Sequence, residues 1–331
     1  MGTLEPMESF GFDFGAMSST CEIRLDGDDE AALAAAAHAA IAEVRRIERK
    51  YSRYRDDSVV AAINAAAGSG HEVEVDGETA SLLDFAAALH ALSEGTFDVT
   101  SGVLRRAWDF RAGRLPDPNV LATLLPLIGW SQVSWRDRRI ALPKTGMEID
   151  FGGFGKEYAA DRAMAVLAGA GQRHGYVNLG GDIRVLGPRR DSSAWRFGIQ
   201  HPRRADATIA SIDLSEGALA TSGDYERHFE LDGKRYCHIL DPRTGWPVQS
   251  WASISVVAPA CVAAGALSTI AMLAGDRALE FLTTQRAGYL AVDAALRICH
   301  DDGAGSTRFI TEVRPLRLAF AVSFGAARAR C

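Results

Sequence analysis

The sequence predicts an α+β fold, and three observations predict it. Alanine-rich helical windows occupy the first third, short alternating runs divided by charged or glycine turns fill the middle, and helices return at intervals afterwards. A doubly wound α/β chain would instead alternate strand and helix from its start. The 331 residues contain no linker, no low-complexity segment and no repeat of solenoid period, so a single domain is expected.

The elements follow in order. Residues 29 to 50 read as an alanine-rich helix ending in "RRIERK", residues 80 to 94 as a second helix stopped by Gly95, and residues 118 to 127 as a short third one. From "SQVSWRDRRIALP" onward the pattern shortens to strands, among them "RHFELDGKRYCHIL", where Asp232-Gly233 marks a hairpin. Helices are expected again at 156 to 170 and 261 to 285. The stretch from Thr244 to Gly275 has no charged side chain, but "WASISVVAP" alternates like a strand, Pro259 interrupts it, and the helix beyond is rich in small residues. It reads as a buried strand and a buried helix, and no membrane span is expected.

Composition excludes some functions. A net charge of -6, with no run of Lys or Arg longer than a pair, carries no nucleic-acid footprint. Five cysteines without CxxC spacing argue against a disulfide framework or a zinc site and suit a reducing compartment. The opening "MGTLEPMESFGFDFG" has neither a basic nor an apolar signal region, which predicts a cytoplasmic chain, or a periplasmic one if the true start codon lies upstream.

Four segments carry candidate chemistry. "EIDFGGFGKEYAADRA", residues 148 to 163, is a strand, a glycine turn and a helix opening near Lys156, a geometry that suits a phosphate or a tight structural turn. It is not a Walker A loop, because Asp150 and Glu157 stand where that loop needs Gly and Ser or Thr. "YVNLGGDIRVLG", residues 176 to 187, reads as a bulged strand or as a place where another chain or a flat ligand comes close. In "ALATSGDYERHF", Thr221 and Ser222 either orient a ligand or shape a turn. His238, in "YCHILDPRTGWP", is either a structural histidine or a general base.

In this order and combination the segments resemble the ApbE-type FAD:protein FMN transferases. "FGAMSSTCEIRL", "YSRYRDDSVVAAIN", "GTFDVTSGVLRRAWDF" and "SISVVAPACVAAGALSTIAMLAG" extend the likeness to nearly the whole chain. The resemblance implies an ApbE/T-fold-like α+β domain over residues 11 to 315, with mixed and antiparallel sheets, flanking helices and terminal extensions at 1 to 10 and 316 to 331. It implies transfer of FMN from FAD to a Thr or Ser hydroxyl of an acceptor protein, probed against two alternatives, an inactive FAD-binding protein and a slow FAD pyrophosphatase. FAD as substrate, Mg²⁺, and a redox protein as acceptor come with it.

Carried over by position, the resemblance assigns Met17, Tyr54, Thr96, Phe97 and Asp98 to FAD, with Tyr54 suited to stacking. Asp150 and Lys156 flank the glycine turn, Leu240 lines the flavin side, and His238 is the catalytic base. The Gly153 carbonyl and Thr269 are the metal ligands. One position departs from the pattern: Gly265 stands where an aspartate is expected, four residues before Thr269 and on the same helix face. On the sequence alone, Gly265→Asp is expected to restore a ligand and tighten Mg²⁺ binding.

Overall fold

The computed structural model describes residues 9–303, 308–311 and 314–315. It opens on an antiparallel hairpin, β1 (Ser9–Ala16) and β2 (Ser19–Asp26), whose corner holds Met17 and Ser18 at φ 51° and 59°. A two-residue turn that matches strand twist requires positive φ at such a corner, and neither residue is glycine.

α1 (Glu30–Tyr51) follows, with Asp29 accepting the Ala32 N–H at 3.0 Å as its cap. Its buried residues, including Leu33, Ala37, Ala40, Val44 and Ile47, recur at helical spacing and face the sheet side. α2 (Val59–Ala65) is capped by Ser58, and β3 (Val73–Glu74) leads to α3 (Gly77–Leu92). That helix begins earlier than expected because the Asp76 carboxylate caps the Thr79 N–H at 2.8 Å. The third predicted helix divides into α4 (Pro118–Leu124) and a 3₁₀ turn at Leu125–Leu127. β4 (Ser134–Arg136) and β5 (Arg139–Ala141) join β3 in a small sheet of order β3-β5-β4.

α5 (Gly155–Gly169) starts immediately after the glycine turn. The chain then runs through β6 (Gly175–Leu179), β7 (Asp182–Gly187), β8 (Trp195–His201), β9 (Arg204–Leu214) and β10 (Gly217–Gly223). β11 (His228–Leu231) and β12 (Lys234–Cys237) form the predicted hairpin, with Asp232 and Gly233 at φ 51° and 73°. β13 (Trp251–Ala258) precedes α6 (Cys261–Ala274) and α7 (Ala278–Thr284). The single helix expected at 261 to 285 is broken by Gly275 at φ 59° and a 3₁₀ turn. β14 (Gly288–Asp293), β15 (Ile298–Asp301), β16 (Arg308–Ile310) and β17 (Arg314–Pro315) complete the described elements.

The main sheet has eight strands in the order β1-β2-β6-β7-β10-β13-β14-β15, and every pairing among the described residues is antiparallel. Its strands alternate between two faces. On β14, Tyr289 and Ala291 join the core under α1, α5 and α6, while Leu290 and Val292 join a second core beneath β8 and β9. Helices, the large sheet and the β8–β9 sheet with β16 and β17 therefore make three layers. Cys261–Thr284 is long and apolar enough to cross a membrane by length and composition alone, yet half of its most apolar window is buried, and α6 packs on β10 and β13. A third, aromatic cluster gathers Leu104, Trp108, Leu121, Phe229 and Tyr236 beside the β11–β12 hairpin.

Candidate active site

The glycine turn before α5 is shaped by close packing. Asp150 Oδ1 accepts the Gly152 N–H at 2.9 Å, and the Gly155 N–H reaches the Phe151 carbonyl at 2.6 Å. A Cβ on Gly153 would stand 2.9 Å from the Phe97 ring, so only glycine lets the turn lie on that ring. Phe97 in turn stacks on buried Phe154 at 6.3 Å between centroids. The other Asp150 oxygen accepts from the Arg53 guanidinium. Arg53 also donates to the Tyr54 hydroxyl at 2.8 Å and lies over the Tyr54 ring. Tyr54 is 77% exposed, with its ring available to a flat ligand. Tyr54, Arg53 and Asp150 thus form one chain of contacts at the turn, and Arg53 was not anticipated, because an arginine between a serine and a tyrosine has no sequence signature of its own.

Thr96, Phe97 and Asp98 lie just past α3, all buried. The Thr96 hydroxyl donates to the Ser93 carbonyl at 2.9 Å, and Thr96 lines a shallow groove with Leu92, Ile270 and Phe281. Asp98 Oδ1 accepts from the Thr100 N–H and hydroxyl at 2.8 and 2.6 Å, and Oδ2 accepts the Trp130 N–H at 2.8 Å. Both oxygens hold backbone segments together. Met17, at the β1–β2 corner, donates its N–H to Glu48 Oε1 on α1 at 2.6 Å.

Lys156 opens α5 and points toward the β6–β7 turn. Its Nζ stands 2.9 Å from Asp182 Oδ2 and donates to the Gly180 carbonyl at 3.3 Å. Burial, the largest single influence, works against the ammonium, but the charge and hydrogen bond of Asp182 together with the Glu157 and Glu226 charges hold the lysine above its ordinary range. Gly180 and Gly181, at φ 61° and 95°, make the turn that brings Asp182 there, so the diglycine is a left-handed turn between paired strands. Asp182 also accepts the Thr221 N–H from β10.

His238 follows β12 in the same electrostatic neighbourhood. Its backbone N–H donates to the Arg227 carbonyl at 3.0 Å, and its buried Nδ1 has no hydrogen-bond partner. Burial, then the Arg227 and Lys156 charges, push the imidazole down to about 4. The ring is neutral at pH 7, the form in which a histidine can act as a base. Asp241 does not join it: its carboxylate accepts the Arg243 N–H at 2.9 Å and the Arg243 guanidinium at 2.8 Å, within its own turn. Leu240 bridges to Pro247 and packs on the aromatic cluster around Trp108, and the Trp108 indole donates to the Gly245 carbonyl at 2.8 Å.

The remaining predicted residues meet where α5 packs on α6. Asp161 of α5 accepts the Cys261 and Val262 N–H groups at 2.9 Å each, which caps α6 from outside. One turn back along α5, Glu157 lies against Gly265, one turn forward along α6. A Cβ on Gly265 would stand 2.4 Å from Glu157 Oε1. The helices therefore run antiparallel in this register, with Thr269 one further turn along α6 from Gly265 and the glycine turn just before the start of α5, beyond Glu157. The Thr269 hydroxyl is 2.9 Å from Ser222 Oγ, itself 2.8 Å from Ser268 Oγ.

Glu157 is buried, and its Oε2 has no hydrogen-bond partner. Burial, then the nearby Asp182 charge, pushes its carboxyl upward. The room expected to be vacant at Gly265 is thus filled from the neighbouring helix, and Gly265→Asp would collide with Glu157 instead of simply adding a ligand. Sequence reasoning missed Glu157, because an acidic residue in the first turn of a helix is ordinary there.

Comparisons with known proteins agree with this architecture. The model of the ApbE family matches residues 17–292. The chain is 34% identical over 265 residues to the FAD:protein FMN transferase of Treponema pallidum, covering 73% of each chain. It is 31% identical over 251 residues to that of Haemophilus influenzae, covering 72% of each. Among solved structures, the ApbE protein of Thermotoga maritima superposes with a TM-score of 0.81 at 33% identity, over 89% of this chain and 97% of that one. The flavin transferase ApbE of Vibrio cholerae gives 0.80 at 25% identity, over 90% and 98%. With three layers of the same fold and likeness spanning most of its length, this chain belongs to the ApbE family.

Proposed function

We propose that the chain transfers the FMN half of FAD to a threonine or serine hydroxyl of an acceptor protein, releasing AMP. The observation that carries this reading is the glycine turn at the start of α5 with Lys156 held 2.9 Å from Asp182, together with a buried, partnerless His238 Nδ1 within the field of Lys156. The names of the relatives support it. In the step, the acceptor oxygen attacks the phosphorus of the FMN half, the bond from that phosphorus to the bridging oxygen breaks, and AMP leaves with that oxygen. The hydroxyl proton passes to His238, and Lys156 offsets charge growing on the phosphoryl oxygens.

Around that step, Tyr54 offers a ring to the flat part of FAD, positioned by Arg53 and Asp150. Met17 and Leu240 line the ligand's path, and Thr96, Phe97 and Asp98 act through the loop they brace, since the Asp98 oxygens already hold backbone. The acceptor is a protein with a reachable hydroxyl, and a redox protein is the class a covalent flavin would serve.

Among the described residues, no three His, Cys, Asp or Glu side chains form a metal cluster. Magnesium does not need one: it takes hard oxygens, with one or two carboxylates and substrate phosphates. The donors at the α5–α6 crossing fit that chemistry, with the Thr269 hydroxyl, the Gly153 carbonyl and an unpartnered buried carboxylate oxygen on Glu157. Bound there, Mg²⁺ would neutralise pyrophosphate charge.

The test is AMP release from FAD by the purified protein, with and without Mg²⁺ and with a peptide of the pattern D-x-x-[S/T]-G-A-T. Acceptor-dependent AMP matched by flavin bound covalently to the peptide is the expected result. FAD retained intact under every condition would reduce the chain to a flavin binder.

A further inference from the structure

We propose that Glu157 supplies, from α5, the metal-ligating carboxylate that α6 lacks at Gly265. The inference rests on the FMN-transfer reading above, and it concerns where that site gets its charge.

Three observations converge. The first is space: the Glu157 Oε1 atom stands 2.4 Å from where the first side-chain atom of residue 265 would be, so the carboxylate occupies the room a side chain on α6 would take. The second is an unmet bond: Glu157 Oε2 is buried and partnerless, a costly state for a carboxyl oxygen unless something binds it. The third is register. The Asp161 contacts with Cys261 and Val262 fix α5 against α6, and they put Glu157 on the helix face of Thr269, one turn away. A carboxylate moved from one helix to the other keeps the same oxygen chemistry beside the Thr269 hydroxyl and the glycine turn.

The alternative is a buried acid that merely fills the gap left by glycine. Nothing else in its surroundings satisfies Oε2, and a plain filler would be apolar at less cost. The Lys156 charge is felt at Glu157, but its ammonium makes its ion pair with Asp182, 2.9 Å away, and does not satisfy Oε2.

Mn²⁺ titrated into the full-length chain saturated with FAD, followed by the electron paramagnetic resonance signal of free Mn²⁺ against an FAD-only blank, tests the proposal. Glu157→Gln keeps the shape and removes the charge, and it is expected to weaken Mn²⁺ binding about 10-fold or more. Glu157→Asp is expected to lose less, and serves if the glutamine variant fails to fold. The exchange variant Glu157→Gly with Gly265→Asp is expected to regain most of the lost affinity, whereas Gly265→Asp alone does not tighten binding. A folded Glu157→Gln chain that binds Mn²⁺ as tightly as the wild type overturns the proposal, as does a wild type that binds none. The transfer assay separates this from the function itself: covalent flavin formed with Glu157→Gln binding Mn²⁺ normally sinks only the carboxylate, while metal bound without transfer sinks only the transferase reading.

Discussion

A histidine three residues from an aspartate is an ambiguous signal, and the fold resolves it by separating the two. Asp241 is consumed by its own turn with Arg243, while His238 faces the field of Lys156 with a partnerless Nδ1. The depressed pKa has a pH consequence whose sign is fixed by linkage. An unfolded chain protonates His238 near the ordinary imidazole value of 6.5, the folded chain only near 4, so the unfolded state binds more protons between them. His238 therefore leaves stability intact above pH 6.5 and erodes it as pH falls towards 4, by an amount on the order of 3 kcal/mol when complete. Urea midpoints measured from pH 7 to 4 should show a slope that His238→Gln flattens; an unchanged slope would mean that other groups carry it. For the reaction, His238→Ala should abolish transfer while leaving the FAD dissociation constant within about 3-fold, since the imidazole is placed for the proton and not for the cofactor. Equal loss of both would remove it from the role of base.

Among the elements, the helix pair α5 and α6 decides the most, and it was the least legible. Each helix was readable from its own composition, and the glycine turn from its spacing, because those signals are local. The register between them is not local. It depends on Asp161 reaching the bare N-terminus of α6, where no residue of α6 itself supplies a side-chain cap. The contact of Glu157 with Gly265 follows from that register and is invisible in one dimension, which is why glycine at 265 reads as a missing ligand in sequence and as occupied space in the fold. The break between α6 and α7 was hidden for a similar reason: Gly275 stands inside a stretch of good helix formers, Met272-Leu273-Ala274 before it and Arg277-Ala278-Leu279 after it, and its φ of 59° is a property of the fold. By contrast the Asp232-Gly233 hairpin was legible, because a two-residue turn states its own φ requirement. Asp161→Ala should cost about 1–2 kcal/mol in urea unfolding by losing the external cap. It should also lower transfer, since the same contact aligns Glu157 and Thr269. A stability loss with transfer unchanged would show that the alignment has other supports.

At the scale of the whole molecule, the sheet separates two cores, and the site belongs to only one of them. Leu290 is fully buried in the core under β8 and β9, whereas Phe154 is fully buried in the helical core, against Phe97 and Phe151 at the glycine turn. Large-to-small changes in either core create a cavity, and each is expected to cost about 2–5 kcal/mol of stability. Their effects on function should differ, because distant sites with no shared contact behave independently while neighbours couple. Leu290→Ala should lower the urea midpoint yet leave FAD affinity and transfer near wild type at a temperature where both chains are folded. Phe154→Ala should lower stability by a comparable amount and also weaken FAD binding and transfer, since it removes the ring that seats Phe97, on which the Gly153 turn lies. Equal functional damage from both variants would mean that the sheet transmits strain across its thickness, and that the β8–β9 layer contributes to the geometry of the site as well as to the stability of the fold.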